Sequence, residues 1–275
     1  MPLAPMTELL AAATADRRAL LAMNVIQLEH AEAIVAGAER AGRSVVLQVS
    51  ENTVAYHGAA APVLAATLAV AQGAEVEVCV HLDHATGVDL IREAVGLGIG
   101  SVMYDGSALD YSANVASTAE VVAWCHDRAV SVEAELGEVG GKDGVHAPGA
   151  RTDPAEAASF VSATGVDALA VAVGSSHAMT TRDAVLDEPL IGRLRDAVPV
   201  PLVLHGSSGV PDDGLARAVA AGITKVNIAT HLNAALTRAV RAALEDPAVV
   251  DPRKYLGPGR DAVAAEVARL LELLS

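Results

Sequence analysis

The chain has 275 residues, 52% hydrophobic and 19% charged, with a formal net charge of -15 and a pI near 4.9. That length suits a single eight-stranded α/β barrel, which takes about 250 residues, and the acidic balance excludes a nucleic-acid binder, since phosphate backbones demand clustered Lys and Arg. Apolar runs such as Ala168 to Val173 are too short to cross a bilayer, and Met1 to Leu10 carries no basic region and no sustained apolar stretch, so no membrane partner and a cytoplasmic location are expected.

In chain order, β-branched runs predict strands at Leu20 to Ile26, Ser44 to Ser50, Val76 to Asp83, Ser101 to Asp105, Ser131 to Glu135, Ala168 to Gly174, Pro201 to Gly206 and Lys225 to Thr230. Amphipathic stretches between them predict helices at Glu29 to Ala41, Pro62 to Gly73, Asn114 to His126, Asp153 to Thr164 and Pro211 to Ala220. Pro154 just inside one helix and Asp212-Asp213 in the first turn of another are start signals. About eight β/α units filling residues 1–275 without a linker predict one domain, a TIM (β/α)8 barrel. A doubly wound open sheet is the alternative, but no Gly-rich phosphate fingerprint follows the first strand. Cys79 and Cys125 lack the spacing of a zinc or redox pair and are read as structural.

Active sites of such barrels form at the C-terminal strand ends. Here those ends read His81-Leu82-Asp83-His84, Glu133-Ala134-Glu135, Gly174-Ser175-Ser176-His177 and His205-Gly206-Ser207-Ser208. Imidazole is the usual nitrogen ligand of Zn²⁺, and a catalytic site keeps three protein ligands and one open position. His84, His177 and His205 meet that specification. His81 shares a strand face with Asp83 by alternation and is expected to support it.

The motifs MNV (Met23 to Val25), HLDH (His81 to His84), SVMYDGS (Ser101 to Ser107), SVEAELG (Ser131 to Gly137) and GGKDG (Gly140 to Gly144) occur in order. They are followed by TGVDALAVAVGSSH (Thr164 to His177), PLVLHGSSGVPDD (Pro201 to Asp213), KVNIAT (Lys225 to Thr230) and DPRKYLGP (Asp251 to Pro258). In these the chain resembles the class II fructose- and tagatose-bisphosphate aldolases, the tagatose type most. The resemblance implies reversible cleavage of a phosphorylated ketose into dihydroxyacetone phosphate and an aldehyde, on Zn²⁺ held by His84, His177 and His205, with Glu135 approaching the metal in part of the cycle. It implies that Asp83 exchanges a proton with the hydroxyl or aldehyde oxygen at the reacting bond. It also implies a phosphate site at Gly206, Ser208, Asn227 and Thr230, sugar contacts from Asn24 and Ser50, and a monovalent cation such as Na⁺ or K⁺ near the phosphate. Arg253 matches an arginine that reaches a second phosphate from a neighbouring subunit, which implies a homodimer or homotetramer. For Ser208 and Thr230 the plainer role is helix capping.

Two departures stand out. Relatives carry a glutamate after Gly-Gly in the loop following the fifth strand; here the loop reads Gly140-Gly141-Lys142-Asp143-Gly144, so Asp143 is the candidate base, with a shorter reach. Ala178 replaces the glycine that usually follows the metal-binding histidine, which alters the phosphate pocket. A zinc hydrolase on the same barrel, or a sugar-phosphate-binding protein that has lost its base, are the competing readings.

Overall fold

The computed structural model describes residues 2–136, 151–175 and 182–274. Among them, strands β1 (Leu20–Asn24), β2 (Val45–Ser50), β3 (Val78–Ala85), β4 (Ser101–Tyr104), β5 (Ser131–Glu135), β6 (Ala168–Ala170), β7 (Leu202–Leu204) and β8 (Ile223–Ile228) close into a barrel in sequential order. Every pairing is parallel, and β8 closes on β1 with Leu20 opposite Lys225 and Ala22 opposite Asn227. The helices are α1 (Met6–Asp16), α2 (Leu28–Ala41), α3 (Glu51–His57), α4 (Ala60–Gln72), α5 (Val88–Gly96), α6 (Tyr111–His126), α7 (Pro154–Thr164), α8 (Glu188–Ala197), α9 (Asp212–Ala221), α10 (Thr230–Ala243) and α11 (Pro252–Leu273). No single helix among the described residues is long and apolar enough to cross a membrane.

The expected barrel is therefore present, with five strands shorter than expected, β6 and β7 most of all. The sixth and seventh stop after three residues. Ala172 explains the first: its N–H goes to the Thr152 hydroxyl, and its carbonyl accepts from the Thr152 N–H, so the chain turns out of the ladder. The start of α7 follows the capping rules, with the Asp153 carboxylate accepting from the N–H groups of Ala155 and Glu156 ahead of Pro154.

Strand alternation divides the packing. Outward residues such as Leu21, Met23, Leu47, Val80, Leu82 and Val132 meet the helices in one continuous apolar shell. Inside the barrel, Leu20, Ala22, Val46, Cys79, Met103, Ala168, Ala170 and Val203 form an apolar floor, sealed from below by Met6, Leu9, Leu10 and Ala13 of α1. Burial pushes the Cys79 thiol up to about 12 and the Cys125 thiol up to about 11, which keeps both protonated and inert. Above the floor the interior becomes polar: Gln48, His81, Asp83, Glu133, Glu135, His205, Lys225 and Asn227 are all buried there.

Candidate active site

At the C-terminal mouth, Asn24, Gln48, Ser50, Asn52, Asp83, His84, Gly206, Ser207, Ser208, Asn227, Ala229 and Thr230 line a cavity of about 170 Å³. The structure thus brings together eight of the residues expected from the sequence. His205 and Glu135 stand beside it, 3.9 Å apart at Nδ1 and Oε2.

Consecutive residues of a regular strand face opposite sides, so Asp83 and His84 need a break in β3 to share a cavity. The break is present. Register against β4 shifts between Leu82 and Ala85, and His84 takes a left-handed φ of 51°, the local irregularity by which bulges re-aim side chains. At β7 the turn follows directly: Gly206, at φ 66°, leads into the 3-10 turn Ser207–Gly209, where a Cβ would be unfavourable.

The two imidazoles meet nearly edge to face, with His84 Nε2 3.0 Å from His205 Nδ1. Each ring gives its outer nitrogen to a carboxylate: His84 Nδ1 lies 2.9 Å from Asp105 Oδ2, and His205 Nε2 lies 2.9 Å from Glu133 Oε1. With the N–H of each ring donated outward, the two inner nitrogens face one point, where a shared cation, or a proton carried on His84 Nε2, joins them. Carboxylates that fix a ring this way are the usual supports of metal-binding histidines. Asp83 with both histidines, and His84 with Asp105 and Glu135, each have donor atoms close enough to share one ion. The residues present fit a divalent metal.

The surrounding carboxylates favour positive charge at this point. Burial opposes a charge on His84, but Asp83, the Asp105 hydrogen bond and Glu135 outweigh it and raise its pKa to about 10. Glu133 loses solvent, yet Lys225, with Nζ 2.7 Å away, and His205 hold it well below the usual carboxylate range. The Asn227 amide nitrogen is 3.1 Å from His205 Nε2. Because that nitrogen donates to Glu133, the amide oxygen of Asn227, otherwise without a partner among the described residues, is the atom that belongs at this contact.

Asp83 accepts from Gln48 Nε2 at 2.9 Å through Oδ2, while its buried Oδ1 has no hydrogen-bond partner among the described residues. The support expected from His81 is not what holds Asp83. His81 Nδ1 turns to the Ser101 hydroxyl at 2.8 Å, and Gln48, which also donates to Asn24 Oδ1 at 3.1 Å, takes that place. Ser50 caps α3 by accepting from Thr53 N–H, and it still lines the cavity. No side-chain cap is made by Ser208 or Thr230; Ala229 holds the N-cap position of α10.

Arg253 is not among the cavity's lining residues: its guanidinium is exposed and bonded to Asp251. His177, Asp143 and Ala178 lie outside the described residues. Gln48, Asp105, Glu133 and Lys225 were not singled out from the sequence. For three of them a signal existed, since Gln48, Glu133 and Lys225 each precede by two positions an expected site residue, Ser50, Glu135 and Asn227, and so share its strand face.

A closed barrel whose strand ends collect imidazoles and carboxylates with donor atoms close enough to share one ion fits a metal-dependent barrel enzyme. Residues 4–275 match the family described as fructose-bisphosphate aldolase class-II. The chain is 40% identical over 272 residues to the fructose-bisphosphate aldolase of Geobacillus stearothermophilus, covering 97% of this chain and 95% of that one. It is 34% identical over 290 residues to the fructose-bisphosphate aldolase of Giardia intestinalis, covering 96% and 90%. The crystal structure of the YdjI aldolase from Escherichia coli K12 superposes with a TM-score of 0.86 at 32% identity, covering 99% of this chain and 97% of that one. The chain belongs to the class II fructose-bisphosphate aldolase family. It is an aldolase of carbohydrate metabolism that breaks a carbon-carbon bond of a ketose bisphosphate, and the family implies a divalent metal, a phosphorylated ketose and dihydroxyacetone phosphate.

Proposed function

We propose that this chain, acting as one domain over residues 1–275, cleaves a ketose 1,6-bisphosphate of the fructose or tagatose type into dihydroxyacetone phosphate and an aldehyde in the cytoplasm. Zn²⁺ would be held by His84, His177 and His205, with Glu135 as a further carboxylate ligand. The observation that carries this reading is the pair of facing imidazole nitrogens, His84 Nε2 and His205 Nδ1, each backed by a carboxylate. When bound, the divalent cation would supply Lewis acidity toward the substrate's ketone oxygen.

The chain's own residues do the remaining work. Asp83, anchored through Oδ2, uses Oδ1 to take the hydroxyl proton at the breaking bond and to return it in the condensation direction. Asp143 serves the proton on the carbon of the dihydroxyacetone phosphate partner. Gly206, Ser208, Asn227 and Thr230 bind one phosphate through a glycine-bearing turn and a helix start, donors that suit an anion even in an acidic protein. Asn24 and Ser50 orient the sugar, and a monovalent cation, Na⁺ or K⁺, sits by the phosphate. Arg253 binds the second phosphate in a neighbouring subunit's site, so the working form is a homodimer or homotetramer.

A coupled assay for dihydroxyacetone phosphate release from fructose and tagatose 1,6-bisphosphates tests this directly. Turnover that a chelator abolishes and Zn²⁺ restores is the expected result, whereas turnover indifferent to chelation would refute the metal's role. Light scattering that returned the mass of a single chain would remove Arg253 from the site.

A further inference from the structure

Lys225 is the one lysine in the barrel interior among the described residues, and it is fully buried. Removing an ammonium from water costs several kcal/mol after relaxation, so a lysine kept there needs partners placed to receive it. Packing alone would be better served by an aliphatic residue. Its backbone lies low on β8, opposite Leu20 of the apolar floor, yet its ammonium meets two polar side chains of the layer above. Nζ donates to Glu133 Oε2 at 2.7 Å and to Gln48 Oε1 at 3.4 Å.

Each contact leads to a reacting group through one intermediate side chain. Through Glu133, whose other oxygen receives the His205 Nε2–H at 2.9 Å, it reaches a metal-binding imidazole. Through Gln48, whose Nε2 donates to Asp83 Oδ2 at 2.9 Å, it reaches the proton-transfer carboxylate. An ammonium has only donors. Facing it, Gln48 must present its oxygen, which turns its NH₂ toward Asp83, and Glu133 must present an acceptor, which leaves its second oxygen for the His205 N–H. With that proton on Nε2, the lone pair of His205 lies on Nδ1, directed at His84 Nε2 3.0 Å away.

We propose that Lys225 is a positioning residue that selects the metal-competent tautomer of His205 and the working orientation of Asp83 from beneath the site. The role rests on the reading that His205 binds the metal. It touches neither substrate nor metal, and acts only through Glu133 and Gln48.

Lys225→Met keeps the length of the side chain and removes every donor. In the purified full chain, competition with a chromophoric chelator should give a Zn²⁺ affinity about 10- to 100-fold weaker than wild type, the usual cost of losing a support of a metal ligand. At saturating Zn²⁺, kcat should fall at least tenfold with KM changed by less than about threefold, since the interaction lost matters to the reacting geometry rather than to ground-state binding. A long-range proton-nitrogen spectrum of metal-free protein should show His205 protonated on Nε2 in wild type and as a tautomer mixture in the variant. A merely structural lysine would leave that signature unmoved. Should Lys225→Met fail to fold because the buried Glu133 charge has lost its ammonium, the double variant Lys225→Met with Glu133→Gln removes that charge, and it should fold yet bind Zn²⁺ more weakly than Glu133→Gln alone. A folded variant, single or double, with wild-type affinity and the Nε2–H tautomer would overturn the assignment. Failure of wild type itself to take up one Zn²⁺ per chain would instead overturn the metal reading on which it rests.

Discussion

His84 holds a left-handed backbone conformation, φ 51°, that an L-residue with a bulky side chain seldom adopts. Such strain persists only where surrounding contacts fix it, and here they do: the ring is tied to Asp105 on one side and set against His205 on the other. Its effect is to let neighbouring residues, Asp83 and His84, serve one cavity. The division of labour predicts separable losses. Asp83→Asn keeps the Gln48 contact available but, on the proposed role, removes the base, so kcat should drop about 10²- to 10⁴-fold while metal content, read by atomic absorption, stays at the wild-type level. Parallel loss of metal would place Asp83 among the ligands instead. The histidines were legible because they close apolar strands. The bulge was not, since nothing in HLDH distinguishes a strand that ends regularly from one that kinks, and the hydrogen bond chosen by His81 depended on Ser101, a residue twenty positions away.

At the scale of elements, α2, α4, α6, α7 and α9 begin within three residues of their expected starts, whereas α5 and α8, which also bury an apolar face, were not singled out. The C-terminal helix α11 was not among the expected helices, and Gly257, Pro258 and Gly259 near its start are residues that disfavour a helix interior. It lies so close against α2 that a Cβ on Gly37 would fall 2.6 Å from the Ala264 carbonyl and from Val267. Gly37→Ala should therefore lower stability by about 1 to 3 kcal/mol, the usual range for overpacking. Urea unfolding followed by circular dichroism measures it, and turnover of the folded variant should be unchanged because the clash lies outside the barrel wall. An unaltered urea midpoint would mean that the helices part without cost.

For the whole molecule, the barrel was foreseen from eight β/α repeats, whereas its floor was not. Met6, Leu9, Leu10 and Ala13 follow helical spacing, so the pattern of α1 was present, but only the closed barrel reveals what they cover. The same vertical order, apolar below and ionised above, makes the protein acid-sensitive. Burial, with Lys225 close by, pushes the His81 imidazole down to about 3. An unfolded chain binds that proton near pH 6.5 and the folded one does not, so the stability contributed above pH 6.5 is lost progressively as pH falls toward 3, on the order of 1 kcal/mol per pH unit. Denaturant titrations at pH 6.5 and 4.5, with chelator present throughout, should show that loss, and His81→Gln should make it smaller; an equal loss in both would acquit His81. The floor has one more effect. With α1 blocking the lower end, the cavity opens among the described residues only at the upper mouth, so substrate and products share that side of the barrel.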